Sequence, residues 1–272
     1  MVKDLTSALG LGPREHVALV GGGGKTTLMS ALADELRLKG YRFVISTTTK
    51  VWNREALNWP NVLFDPSDPA SHEELKAALK KHGHAFAGRR VLESGKVEGI
   101  SPGLADALYR EAEIDYLILE ADGAAGRPVK APAGHEPVIP SSATVVVAIM
   151  GIEAVGAPLE DEVVFRPEQF TKITGLNLGE RITPDALAKI FQSPGGLFKG
   201  APASAKRIAF LNKLDLLTDD QEGGTLADLL VKGPRPSVDS VVVGSILKSI
   251  YYRKKVTAQV QRSEVQGSRL DS

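Results

Sequence analysis

Several stretches of the chain are apolar without alternation: 16–20, 115–120, 143–150 and 207–211. A strand with one wet face alternates polar and apolar positions, whereas a strand covered on both faces does not. These runs predict buried strands of a parallel sheet. Residues 41–46 and 238–243 fit the same role, and 61–64 is a short extended piece. Helices are predicted between them: 26–39, ended by Gly40; 71–82, with Ser71 and Glu74 spaced as a capping box; 102–112, behind Ser101 and opening on Pro102; 167–174; 184–192, behind Thr183; and 219–232, which Gly223-Gly224 can divide. Residues 84–98 read as a hairpin, with strands at 85–87 and 90–92 and a turn at Ser94-Gly95. Strands alternating with helices require right-handed crossovers and a mainly parallel sheet.

The predicted organisation is one α/β domain over 1–255, with insertions at about 84–98 and 151–204 and a polar tail over 256–272. Hydrophobic residues make up 43% of the 272 and charged residues 24%. Lys plus Arg and Asp plus Glu each number 33, so no net charge draws the chain to nucleic acid or an anionic membrane. No apolar run reaches the roughly 20 residues of a spanning helix, and the first dozen residues lack the apolar core of a signal peptide. The expectation is a cytoplasmic protein with neither nucleic-acid nor membrane partners. The absence of cysteine excludes disulfides, zinc–thiolate sites, iron–sulfur clusters and thiolate nucleophiles.

The first strand runs into Gly21-Gly22-Gly23-Gly24-Lys25-Thr26-Thr27 and then a helix. Glycines let the backbone curl around an anion, and the helix N-terminus adds its dipole. In such a loop Lys25 reaches the β- and γ-phosphates and the Thr26 hydroxyl meets Mg²⁺. The alternative is a plain glycine-rich turn. The usual spacing places a glycine at position 19, where this chain has Leu19. The shorter loop is similar to that of the murein peptide ligases, in which ATP makes an acyl phosphate. The fold class expected is therefore P-loop NTPase-like, a mainly parallel sheet with helices on both faces and small insertions.

Downstream, Glu120 and Asp122 share one face at the end of an apolar strand, where an acid holds Mg²⁺ or orients water; two solvated acids are the alternative. Thr47-Thr48-Thr49-Lys50 offers hydroxyls and an ammonium for a γ-phosphate. Asn212, Lys213 and Asp215 form an Asn-Lys-x-Asp pattern, in which Asp215 accepts from guanine, Lys213 lies over the base and Asn212 ties the loop; a polar loop with a capping Asp is the alternative. Gly244-Ser245 stands where a second base-contacting loop falls. The nucleotide stays open between GTP and ATP. The long loop after Glu120 carries Arg127, Lys130, His135 and Glu136, a set that can bind an anionic substrate and move protons. His72, His82 and His84 read as surface, and Trp52 and Trp59 as packing or as a stacking pair.

The glycine run, the Thr-Thr-Thr-Lys segment and the stretch Glu120-Ala-Asp-Gly…Arg127-Pro-x-Lys-x-Pro…His135-Glu-Pro together resemble the YqeC family, accessory proteins of selenium-dependent molybdenum hydroxylases. The resemblance covers about 10–250. It implies a nucleoside-triphosphate-binding protein with Mg²⁺-dependent hydrolysis, whose partners are a molybdenum hydroxylase or molybdopterin-handling proteins. Two other readings stand beside it: a small-molecule kinase or ligase that makes an acyl phosphate, and a non-catalytic, nucleotide-gated chaperone. Without cysteine, the chain cannot carry selenium as a selenosulfide.

Overall fold

The computed structural model describes residues 1–52, 59–63, 68–110, 113–217, 220–232 and 237–256. In chain order the elements are α1 (Leu5–Leu9), β1 (Glu15–Gly21), α2 (Lys25–Leu38), β2 (Phe43–Thr47), β3 (Lys50–Trp52), β4 (Asn61–Leu63), α3 (Pro69–His82), β5 (His84–Gly88), β6 (Arg90–Val91) and β7 (Lys96–Glu98). Then come α4 (Pro102–Arg110), β8 (Tyr116–Glu120), β9 (Val129–Lys130), β10 (Val145–Gly151), β11 (Val164–Phe165), α5 (Pro167–Thr174), α6 (Pro184–Gln192), β12 (Lys206–Asn212), α7 (Asp220–Lys232), β13 (Ser240–Ser245) and β14 (Ile250–Lys255).

The main sheet has the order β14-β13-β12-β10-β1-β8-β2-β5-β4, and every pair but β13–β14 is parallel. β1 is central, between β10 and β8. Its alternate residues face opposite sides, and both sides are covered. Val17 and Leu19 join the core beneath α1 and α2, with Leu28, Leu32 and Leu36. Ala18 and Val20 join the opposite core, with Leu79 of α3, Leu108 of α4, Phe191 of α6 and Leu230 of α7. The unbroken apolar runs thus become strands buried on two faces. The fold is the P-loop NTPase-like α/β sheet that the pattern implies.

Three local readings change. Residues 84–88 are not half of a hairpin. They form β5, a parallel member of the main sheet between β2 and β4, and the antiparallel hairpin is β6–β7, which pairs with β3. The helix predicted from 71 begins at Pro69 and is capped by Asp68, whose carboxylate accepts from the Ala70 N–H at 2.9 Å. Beyond β13 the chain adds an antiparallel edge strand, β14, whose Tyr251 bridges Val2. α7 runs unbroken through Gly223 and Gly224. The polar tail beyond 256 and the side chain of Trp52 lie outside the described residues, while Trp59 packs edge-on to Phe43 and His84.

At the opposite end of β1 from the glycines, His16 is fully buried. Asp106 accepts from the hydroxyls of Ser141 and Ser142 at 2.6 and 2.7 Å, so the Ser142 hydroxyl in turn accepts from His16 Nδ1 at 2.9 Å. Nε2 is left buried without a partner. Burial lowers the imidazole pKa from 6.5 to about 4, against the pull of Asp106. The unfolded chain therefore takes up this proton first as pH falls. Stability is complete above about pH 6.5 and is lost toward pH 4, with a limit of about 3 kcal/mol from this group. Urea denaturation at pH 7 and pH 4.5 should show the loss, and His16→Gln should flatten it. An unchanged slope in that variant would assign the effect to other groups, such as His84, which burial also lowers.

Candidate functional site

The glycine loop is short because β1 continues through Leu19, which pairs with Glu120 of β8 deep in the sheet. The chain turns only at Gly21, where φ is +97°, and Gly23 follows at +76°. A Cβ on Gly23 would lie 2.1 Å from the Gly151 nitrogen, so only glycine fits this close approach. Two loop amides are already used inside the protein: the Gly22 N–H donates to the Ile149 carbonyl at 3.0 Å, and the Gly23 N–H to the Arg127 carbonyl at 2.9 Å. The N–H groups of Gly24, Lys25, Thr26 and Thr27 donate to no protein acceptor among the described residues. They begin α2, and their residues line a cleft of about 680 Å³ at the C-terminal ends of the strands. Ligands of open α/β sheets enter at this edge.

Asp122, two residues beyond β8, has no exposed surface. It accepts from the Gly21 N–H at 3.0 Å and holds Lys25 Nζ at 3.0 Å and Lys130 Nζ at 3.2 Å. Lys130, equally buried, also meets Glu136 at 3.0 Å and the Gly123 carbonyl at 2.5 Å. Glu136 in turn pairs with Arg166. The signs alternate along Lys25, Asp122, Lys130, Glu136 and Arg166, and Glu120, 3.7 Å from Lys25, brings the group to neutrality.

Burial works against the charge on Glu136, but the Arg166 and Lys130 bonds prevail and hold its carboxyl at about 2. It is therefore an ionised partner for cations at neutral pH and a very weak base. For Lys130, burial dominates and lowers the pKa against Asp122 and Glu136. The Arg166 guanidinium lies over the Phe165 ring at 4.5 Å.

The Thr26 hydroxyl lies 3.3 Å from Glu120 Oε2, and both residues line the cleft. Asp122 does not, because its two oxygens are taken by Lys25, Lys130 and the Gly21 amide; the expected carboxylate pair is divided between cleft and interior. Among the described residues no three His, Asp or Glu side chains converge as a metal site.

Asn212 joins two loops: its Nδ2 donates to the Gly23 carbonyl at 2.8 Å, and its Oδ1 accepts from the Ile246 N–H at 3.1 Å. Lys213 lines the cleft and is paired with Glu153. Asp215 is exposed and off the cleft wall. His135 differs from expectation. It is exposed, outside the cleft, and carried out on a turn that Lys199 grips through the Ala133 and Gly134 carbonyls. Thr49 and Lys50 line the cleft; Thr48 is tied to the Val138 carbonyl. Sequence reasoning missed Lys96, Glu153, Phe165 and Arg166. Arg166 stands 30 positions from Glu136, with no local spacing to reveal it.

A parallel sheet with a glycine loop, a lysine at the following helix N-terminus and an acid on the adjacent strand define a P-loop type α/β protein. Comparison with known proteins goes further. The family model described as "YqeC protein" matches residues 17–168. The YqeC protein of Escherichia coli (strain K12) is 36% identical over 197 residues, 72% of this chain and 75% of that one. The chain belongs to the YqeC family. Among solved structures, chloroplast FtsY from Physcomitrella patens matches with 15% identity and a TM-score of 0.43, covering 95% of this chain and 68% of that one. No described helix is long and apolar enough to cross a membrane.

The charge chain makes a stability prediction. Lys130→Met leaves two buried carboxylates short of a cation and should cost about 3–5 kcal/mol in urea denaturation. Adding Glu136→Gln leaves Lys25–Asp122 intact and Arg166 partly in water, so the double variant should recover much of the loss. Additive effects would show that the pair is not coupled.

Proposed function

We propose that this protein binds a magnesium–nucleoside triphosphate in the cleft and spends its hydrolysis on an accessory step in the maturation of a selenium-dependent molybdenum hydroxylase. The observation that carries the nucleotide reading is the row of unpaired N–H groups at Gly24–Thr27, opening on the cleft beside Lys25. These amides and the α2 dipole take phosphate oxygens. Lys25 Nζ, now 2.5 Å from the Gly21 carbonyl, exchanges that oxygen for one on the phosphate while Asp122 preserves its charge. The Thr26 hydroxyl and Glu120 carboxylate are hard oxygen donors of the kind magnesium takes, with phosphate and water supplying the rest of its shell. Magnesium there would neutralise and polarise the terminal phosphate. Asp122 acts as the buried counter-ion, and Lys130 and Glu136 fix the loop over the site. Asn212 holds the phosphate loop against the loop after β13. Lys213 lies along the base, and Asp215 is the guanine acceptor if GTP is the nucleotide. The resemblance of the central stretch, residues 120–137, is what supports the setting in hydroxylase maturation.

Calorimetric titration with ATP and with GTP, each with and without Mg²⁺, tests the reading. Lys25→Ala should weaken binding by about a hundredfold, the scale of a lost preorganised charge contact. Glu120→Gln should abolish the Mg²⁺ enhancement and spare Mg²⁺-free binding. A GTP preference should disappear in Asp215→Ala. No binding of either triphosphate with Mg²⁺ would sink the nucleotide reading, and unchanged selenium-dependent hydroxylase activity in a deletion strain would sink the maturation role.

A further inference from the structure

The glycine loop offers a phosphate less positive charge than its lysine suggests. Lys25 is already opposed by Asp122 at 3.0 Å and has Glu120 at 3.7 Å. The group of charges from Glu120 to Arg166 is neutral as a whole. Lys213 is paired with Glu153. A magnesium triphosphate keeps a net negative charge, and the α2 dipole supplies only about half a unit of positive charge. The electrostatics of the loop call for a further cation beside it.

Arg127 stands there. The turn that carries it is bonded at once to the glycine loop and to the end of β10. The Arg127 carbonyl accepts from the Gly23 N–H and the Pro128 carbonyl from the Gly151 N–H, both at 2.9 Å. No side chain separates turn from loop, since a Cβ on Gly22 would lie 2.6 Å from the Arg127 carbonyl. The chain arrives through left-handed backbone at Ala125, with φ of +48°, and Gly126, with φ of +76°. The Arg127 N–H then closes the turn on the Ala124 carbonyl at 2.9 Å. A non-glycine residue in that region is strained, and only firmly held surroundings maintain it. The Arg127 backbone is thus fixed. Its side chain is half-buried on the cleft wall and makes no hydrogen bond or ion pair among the described residues. Gly23, which the turn grips, directly precedes the open N–H groups of Gly24–Thr27. An arginine anchored there needs no more than its own side-chain length to reach a phosphate on those amides. Its planar fork of donors matches two phosphate oxygens.

We propose that Arg127 is a phosphate-contact residue of the nucleotide site, its guanidinium taking phosphate oxygens beside the Gly24–Thr27 amides and supplying the positive charge that Asp122 neutralises on Lys25. The inference rests on the nucleotide reading for the identity of the ligand. The full chain is titrated calorimetrically with Mg²⁺ and a non-hydrolysable triphosphate analogue, and separately with inorganic tripolyphosphate, which has the phosphates and no base. Arg127→Ala should weaken both by about tenfold or more. Arg127→Lys keeps the charge but loses the fork, and should recover only part of the loss. In ¹⁵N NMR the Arg127 Nε–H signal should move on addition of either ligand. The urea midpoint of Arg127→Ala should match that of the wild type, because the side chain has no protein partner among the described residues to lose.

Binding of the triphosphate analogue by Arg127→Ala within about threefold of the wild-type affinity overturns the proposal and leaves the nucleotide reading standing. So does an unmoved Nε–H signal in the saturated protein. A loss of affinity matched by a fall in the urea midpoint also overturns it, since Arg127 would then be a structural residue. If tripolyphosphate binds through Arg127 and nucleoside triphosphates do not bind, the nucleotide reading falls and the phosphate contact stands. If neither ligand binds the wild-type chain, both fall.

Discussion

A carboxylate sealed from water carries a large desolvation penalty unless several donors offset it. Asp122 meets that condition with two ammonium groups and a backbone amide, drawn from three parts of the chain. Lys25 comes from the start of α2, Lys130 from β9, and the amide from the last residue of β1. One side chain thereby fixes the end of the strand, the lysine of the glycine loop and the long loop that covers both. Glu136 and Arg166 extend the same arrangement to the segment before α5, so the insertion after β10 is tied to the phosphate end of the sheet by charge as well as by the β9–β11 pairing.

The sheet makes this placement possible. Because β1 is covered on both faces, its residues admit little variation in register, and Leu19 meets Glu120 directly. Asp122 then reaches the Gly21 amide just past the paired residues. On the other flank, β12 ends at Asn212, within reach of the Gly23 carbonyl. The glycine loop is thus held from both sides, by a carboxylate from β8 and a carboxamide from β12.

The legible parts of the fold were those in which local pattern and burial agree. The runs that became β1, β8, β10 and β12 lack polar positions because both faces are covered, and α6 begins as Thr183-Pro184 imply, with the threonine hydroxyl accepting from the Ala186 N–H at 3.2 Å. The misread parts lacked such agreement. Ala85-Phe86-Ala87 is too short to distinguish a sheet member from a hairpin arm. β14 carries Arg253, Lys254 and Lys255, a charged run without a strand pattern, yet it pairs through its backbone at a sheet edge where side chains can stay polar. β9 and β11 have two residues each and exist only because the insertion returns to the loop. At the site, the glycines, Lys25, Thr26 and Glu120 were visible because phosphate chemistry fixes their spacing. Which acid faces the cleft was not, since Glu120 and Asp122 differ only in what surrounds them. The cation that completes Glu136 was beyond reach for the same reason.

The alternating charge chain also constrains how this sequence can diverge. Each interior member balances two neighbours, so losing one leaves an uncompensated charge that water cannot reach. Loss of an adjacent acid and base together preserves neutrality. Inheritance at positions 122, 130 and 136 should therefore be correlated: a lineage that drops Lys130 is expected to have neutralised one of its flanking acids as well. Arg166, with 30% of its side chain exposed, is the terminal member and the one freest to drift.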